Sequence, residues 1–308
     1  MTKIYDVLII GSGPTGYTAA IYAARANLSV LVLQGYQTGG QLMQTSEVEN
    51  YPGFEEAILG PDLMEKLEKQ ALRFGTELLP EDVTSVDFST RPFTVRTDTS
   101  EYRSQAVIVA TGASAKWLGL PKEKQLQGRG VTACATCDGF FFKGKDVLVV
   151  GGGDTAMEES LFLTRYVNHI TLVHRRDTLR ASKIMQERVR NHPKISLAFS
   201  SEVADILGDK SVRGAVLRNI ATRQETTVEV QGIFVAIGHQ PNTALFKGIL
   251  NMDKAGYLVP VEHTMTNIPG VFAAGDVTDH RYRQAITAAG DGCRAAIDAE
   301  RWLESQKG

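Results

Sequence analysis

Cysteine is scarce in this chain. Three cysteines among 308 residues cannot build the dense disulfide framework of a small secreted domain. An excess of one charge is missing too. The 33 basic and 35 acidic residues leave a formal net charge of −2, without the basic surplus that nucleic-acid binding draws on. No apolar run approaches the ~20 residues of a membrane span. The N-terminal MTKIYDVLIIGSG lacks an A-x-A-like cleavage site and runs straight into a glycine loop, so it does not read as a secretory leader. The six histidines show no metal-ligand spacing. These absences lead us to expect a soluble, cytoplasmic globular protein with no nucleic-acid or membrane partner and no metal centre. The length allows two domains.

Glycine, by contrast, is abundant, and its 29 residues gather in a few loops. Two segments, residues 3–33 and 145–176, resemble each other. Each opens with a β-branched and leucine-rich run typical of a strand buried on both faces. Each then turns on glycines, enters a helix-like stretch and ends in a second apolar run, so βαβ is expected twice. Residues 60–74 read as an amphipathic helix with Pro61 in its first turn. Residues 105–110, 232–236 and 271–274 read as short buried strands. Residues 83–103 and 212–231 alternate like antiparallel hairpins, and a last helix is expected over about 284–303. The fold class is therefore α/β, with the βαβ unit present twice.

Gly11-Ser12-Gly13-Pro14-Thr15-Gly16 is a GxGxxG turn. The first glycine allows the tight turn, the second the approach of a pyrophosphate, and the third close helix–strand packing. Gly151-Gly152-Gly153-Asp154-Thr155-Ala156 is the GxGxxA variant. The strand after it ends in His174-Arg175-Arg176, with Arg180 four residues on. Arginines where an acid would otherwise take a ribose 2′-hydroxyl favour a 2′-phosphate, so this site suits NADPH. The first copy ends in Gln34. It has neither the acid nor an arginine cluster, which leaves FAD as its natural occupant. Backbone of the loop Thr38-Gly39-Gly40-Gln41 would then help to hold the ribose. Gly275-Asp276 can offer a carboxylate to flavin hydroxyls, or be an ordinary turn.

Cys134 and Cys137 form a CxxC. Zinc needs about four ligands, and this pair supplies two. In a chain with flavin and NADPH motifs, a redox dithiol fits better: two electrons arrive as hydride and reduce a disulfide. Asp138 follows directly and can move the proton that thiol exchange requires, or simply open an Asp-Gly turn. Cys293 reads as a buried helix residue rather than a third redox thiol.

GSGPTG, TGGQL, ENYPGF, ATGA, CATCDGFFF, GGGDTA, HRRDTLRA, AIGHQPNT, GVFAAGDV and RYRQAITAAGDG occur in the order seen in low-molecular-weight, bacterial-type thioredoxin reductases. The chain resembles that family over its whole length, and CATCDG between two dinucleotide motifs is very specific. The resemblance implies two Rossmann-like dinucleotide-binding domains: a discontinuous FAD domain, 1–116 and 245–308, with an NADPH domain, 117–244, inserted into it. It implies that Cys137 faces the flavin, that Cys134 attacks the disulfide of the protein substrate thioredoxin, and that Asp138 is the acid–base residue. FAD contacts are expected from Ser12, Gly13, Pro14, Thr15, Gln34, Gly35, Thr38, Gly39, Gly40, Gln41, Asn50, Val83, Ala110, Thr111, Gly112, Gly275, Asp276, Arg283, Gln284, Ala285 and Ile286. NADPH contacts are expected from Gly151, Gly153, Thr155, Ala156, His174, Arg175, Arg176 and Arg180, with Ile237 and Tyr257 nearby. Arg129 and Phe140-Phe141 resemble a loop that grips thioredoxin. A homodimer is implied. So is rotation of the inserted domain about linkers near residues 116–117 and 243–244, because nicotinamide and disulfide share one domain and one flavin. Two other readings remain: a flavoenzyme with a different acceptor, such as a peroxiredoxin-system component, and a nucleotide-sensing protein without turnover. The HRR cluster and the intact CxxC-Asp weigh against them.

Overall fold

Four strands rich in Val, Ile and Leu organise the first half of the chain: Ile4–Ile10, Val30–Leu33, Glu77–Leu79 and Glu101–Val109. Val30–Leu33 is buried along its whole length, as a parallel strand covered on both faces must be. In the computed structural model, which describes residues 3–45 and 47–307, the chain divides into two units. One comprises Met1–Ser114 with Gln240–Gly308, and the other Ala115–His239. The chain crosses between them within the short strands Ala113–Ala115 and His239–Pro241. Among the described residues no helix is long and apolar enough to cross a membrane.

In the discontinuous unit a seven-stranded sheet centres on Ile4–Ile10 and Glu101–Val109, paired in parallel. The long strand Glu101–Val109 divides its outer edge. Its first half pairs antiparallel with Phe93–Thr97, and its second half pairs parallel with Val271–Ala273. Helices Pro14–Arg25 and Ala285–Ser305 cover one face, with Ala19, Ala20, Ala23, Ala295, Ala296 and Ala299 in the core. Phe88, Phe93, Phe246 and Leu258 help to fill the other. Small residues let these two helices approach closely: a Cβ on Gly292 would meet the Thr15 carbonyl oxygen at 2.2 Å.

The inserted unit has its own five-stranded sheet. It runs Val131–Thr132, Gly232–Val235, Asp146–Val150, His169–Val173 and Ile195–Ala198, all parallel. A three-stranded antiparallel sheet, Ser201–Leu207, Gly214–Asn219 and Glu225–Val228, accompanies it. Both βαβ repeats form. The expected helix at 60–74 is Gly60–Arg73, and the last helix is Ala285–Ser305. The helix Lys183–Arg190 and the strands Ile195–Ala198 and Ser201–Leu207 are additions to the sequence reading.

Candidate active site: two glycine turns and a disulfide

In the discontinuous unit the buried strand Ile4–Ile10 feeds the first glycine turn, and Gly13 caps the helix Pro14–Arg25. The three glycines do different work. Gly11 has φ +112°, and a Cβ there would lie 2.3 Å from the Ala110 carbonyl oxygen. A Cβ on Gly16 would lie 2.0 Å from the Gly11 carbonyl oxygen, yet one on Gly13 would meet nothing within 4 Å. Packing excludes side chains at Gly11 and Gly16. Open space over Gly13, at a helix N-terminus with free N–H groups, suits a pyrophosphate.

Ser12 ties this turn to the next loop. Its hydroxyl donates to the Gln34 carbonyl at 2.8 Å and accepts from the Gly39 N–H at 3.0 Å. Gly40 then packs so closely that its Cβ would lie 3.3 Å from the Gly13 Cα. Thr38 and Gln41 flank this pair. From the other side, a Cβ on Gly275 would lie 2.1 Å from Thr15 Oγ1, which sets Asp276 beside the first helical turn. Asn50 Nδ2 donates to Gln284 Oε1 at 3.3 Å, bringing ENYPGF to the helix start that Arg283, Gln284, Ala285 and Ile286 form.

Asp276 carries an unanswered buried oxygen: Oδ1 has no hydrogen-bond partner. Burial first, then the charge of Asp279, push its pKa up to about 7, against the pull of Arg283. A buried carboxylate oxygen without a donor asks for one, and ligand hydroxyls would supply it. In the same unit, a cleft of about 1030 Å³ is lined by Gly11, Gln34, Gly35, Val83 and Thr111 on one side and residues 240–248, 250 and 252–256 on the other. Asn242 fastens that second wall: its N–H donates to Gly112, its amide nitrogen to Thr111, and its carbonyl accepts from Thr111 Oγ1. The motif AIGHQPNT supplies only the start of this wall, residues 240–243. The anion cradle, the open glycine and the orphaned carboxylate oxygen together fit FAD.

The inserted unit repeats the device. A Cβ on Gly151 would lie 2.4 Å from the Ala236 carbonyl oxygen, and one on Gly153 would meet nothing within 4 Å. Gly153 caps the helix Asp154–Leu163, which carries Thr155 and buried Ala156. The basic loop is pinned to this turn. Arg180 N–H donates to the Gly152 carbonyl at 2.7 Å, and Ser182 donates twice to Asp154 Oδ1. The His174 ring covers Gly152 so tightly that a Cβ there would lie 2.2 Å from Cε1. Its Nε2 is buried without a partner. Burial, and then the charge of Arg180, hold its pKa low, which favours the neutral ring. Among the described residues no ion pair engages Arg175, Arg176 or Arg180. An open glycine, an orphaned imidazole nitrogen and three uncommitted guanidiniums fit NADPH. Ile237 belongs to this unit. Tyr257 does not: it lies buried in the discontinuous unit, its hydroxyl engaged by Arg283, with the Asp276 charge close by.

Also in the inserted unit, Cys134 and Cys137 are joined by a disulfide. Cys134 caps the short helix Ala135–Asp138 and takes the Cys137 N–H on its sulfur at 3.2 Å. Thr132 organises the rest. Its hydroxyl accepts from the Cys134 N–H at 3.1 Å and donates to Asp138 Oδ2. Burial raises the Asp138 pKa, and the Thr132 hydrogen bond opposes the rise. Phe140 is 54% exposed and meets the Tyr166 ring edge-on. Thr132 and Tyr166 were not singled out from sequence, because neither belongs to a motif.

The family model for pyridine nucleotide-disulphide oxidoreductases matches residues 5–292. A thioredoxin reductase of Streptomyces coelicolor is 58% identical over 98% of this chain and 95% of its own. The solved thioredoxin reductase of Giardia duodenalis is 43% identical, with TM-score 0.94, over 98% of this chain and all of its own. That of Lactococcus lactis, in what is described as the FR conformation, is 40% identical, with coverage of 98% and 99%, but has TM-score 0.66. Glycine turns, basic loop, disulfide and these likenesses agree: the chain belongs to the thioredoxin reductases within the pyridine nucleotide-disulphide oxidoreductase family.

Proposed function

We propose that the discontinuous unit binds FAD, that the inserted unit binds NADPH, and that the Cys134–Cys137 pair carries electrons onward to thioredoxin. The enzyme is an NADPH-dependent thioredoxin-disulfide reductase with FAD as its flavin. The observation that carries the assignment of roles is the disulfide backed by Thr132 and Asp138 in the unit that also bears the arginine loop. When bound, FAD supplies the two-electron relay between a nicotinamide hydride and the disulfide. Ser12, Gly13, Thr15, Gly39 and Gly40 would hold its pyrophosphate region, and Asp276 its hydroxyls. Arg175, Arg176 and Arg180 would hold the NADPH 2′-phosphate.

Reduction of the Cys134–Cys137 bond consumes two electrons and two protons and leaves two thiols. Cys134 then attacks as the thiolate, which the Cys137 N–H stabilises in place. A bond forms to one thioredoxin sulfur, and the thioredoxin disulfide breaks. Cys137 attacks the mixed disulfide, its internal bond re-forms, and thioredoxin leaves with two thiols. Asp138, its proton held more tightly by burial, hands that proton to the departing sulfur. Exposed Phe140 with Phe141 and Arg129 would contact the protein substrate.

Disulfide and NADPH loop share the inserted unit, so this reading includes reorientation of that unit between half-reactions. In support, two solved relatives with like identity and coverage differ widely in superposition. It also includes a homodimer and a cytoplasmic location, where thiols are kept reduced. The test is NADPH oxidation that requires added oxidised thioredoxin and stops in Cys134→Ser. NADPH oxidation indifferent to thioredoxin would refute the assignment.

A further inference from the structure

Phe140 stands 54% exposed, three residues after Cys137. One exposed apolar ring needs no explanation by itself, but this one is held in place. It meets Tyr166 edge-on with ring centroids 6.2 Å apart, and Tyr166 in turn lies 5.6 Å from Phe162. Arg165 sits over the Phe162 ring at 5.2 Å. Phe162 belongs to the helix Asp154–Leu163, and Tyr166 follows in the turn after it, its N–H donating to the Leu163 carbonyl at 2.9 Å. Lys194 Nζ fixes that turn by donating to the Thr164 and Val167 carbonyls, each at 2.8 Å. The turn after the disulfide rests on the same floor: a Cβ on Gly139 would lie 3.0 Å from Leu163 Cδ2 and 3.3 Å from Phe162 Cε1. The far end of the Phe140 loop is tied down as well. The Gly144 N–H donates to the Tyr166 carbonyl and the Asn168 N–H to the Lys145 carbonyl, each at 2.9 Å. Tyr166 therefore holds this loop twice, by its carbonyl at Gly144 and by its ring at Phe140.

We propose that Tyr166 is a positioning residue for the protein substrate: its ring holds Phe140 in the orientation in which Phe140 meets the apolar surface bordering the thioredoxin disulfide. A ring three residues from the exchanging sulfurs reaches only that border. A side chain ordered in advance spares the entropy of ordering it on binding, so the gain falls on thioredoxin affinity and not on the chemical step. The inference deepens, and rests on, the reading of Phe140 as a thioredoxin contact.

The test is steady-state turnover of the holoenzyme at saturating NADPH with oxidised thioredoxin varied. Tyr166→Leu raises the KM for thioredoxin about three- to tenfold, the scale of one aromatic pair, and leaves kcat and flavin reduction by NADPH unchanged. Tyr166→Met repeats the result with a second ringless apolar side chain. Tyr166→Phe keeps both ring and carbonyl and has the native KM. In a Phe140→Ala background, Tyr166→Leu raises the KM no further, because it acts through Phe140. Additive losses in that background, or equal losses in Tyr166→Phe and Tyr166→Leu, overturn the inference. So does slowed flavin reduction in the leucine and methionine variants: the helix Asp154–Leu163 starts at the NADPH turn, and general damage to it would show there. A native KM in Phe140→Ala overturns the docking reading beneath the inference. Absence of thioredoxin-dependent turnover in the native holoenzyme overturns the assignment of function itself.

Discussion

Asp276 makes the stability of the flavin-free chain depend on pH in an unusual direction. Its pKa is raised from the ordinary 3.8 to about 7, chiefly by burial. Between those two values the native chain keeps a proton that the unfolded chain has released. Stability therefore falls as pH rises through that window and levels off above about 7. Roughly three pH units at ~1.36 kcal/mol each give about 4 kcal/mol as the full span. Asp276→Asn keeps the shape and removes the titration. Denaturant unfolding of flavin-free protein at pH 5 and pH 8 should show a native-minus-variant difference of a few kcal/mol, largest at the higher pH. FAD hydroxyls donating to Oδ1 would favour the carboxylate. FAD binding near pH 6 should therefore release most of one proton in the native chain and none from this site in the variant, as read by calorimetry in buffers of different ionisation enthalpy. Parallel pH profiles for native and variant proteins, or equal proton release, would refute the reasoning.

The glycines can be separated experimentally. Gly16→Ala, whose Cβ would meet the Gly11 carbonyl oxygen at 2.0 Å, should cost about 1–3 kcal/mol or more of stability by overpacking. Gly13→Ala, with open space, should unfold as the native chain does but retain FAD poorly; thermal melts and flavin content distinguish the two. Asp138→Asn should leave flavin reduction by NADPH intact and slow thiol exchange about 10²-fold, as seen in separate rapid-mixing half-reactions; equal loss in both would mean a structural role. Arg176→Ala should lower kcat/KM for NADPH about tenfold or more and leave NADH unaffected. Cross-linking the two units should preserve one half-reaction and stop turnover, and full turnover in the linked enzyme would refute reorientation.

Both βαβ repeats were legible because their signals are local: a buried aliphatic run, glycines at fixed offsets, then a second run. The strand Ser201–Leu207 was not. A register shift between Val203 and Asp205 breaks the alternation that would have marked it. The helix Lys183–Arg190 buries only Val189 and so carries little apolar pattern. The same division holds in the site. Ser12, Gly13 and the arginine loop announce themselves by motif. Glu68 lies 34 residues from Gln34 and Tyr17 lies 17, and both accept from its Nε2, so these partners meet only once helix and sheet have packed. Asp138 had two readings, proton carrier or turn residue. It closes a four-residue helix and also accepts from Thr132, so the local turn sets the carboxyl on the same hydroxyl that takes the Cys134 N–H.

The electron path is tested most directly by following flavin absorbance in one anaerobic cuvette. NADPH should bleach the oxidised flavin band, and added oxidised thioredoxin should restore it. In Cys134→Ser the bleaching should remain and the recovery by thioredoxin should be lost. Bleaching without recovery in the native enzyme, or recovery that persists in the variant, would contradict a path through Cys134 and Cys137.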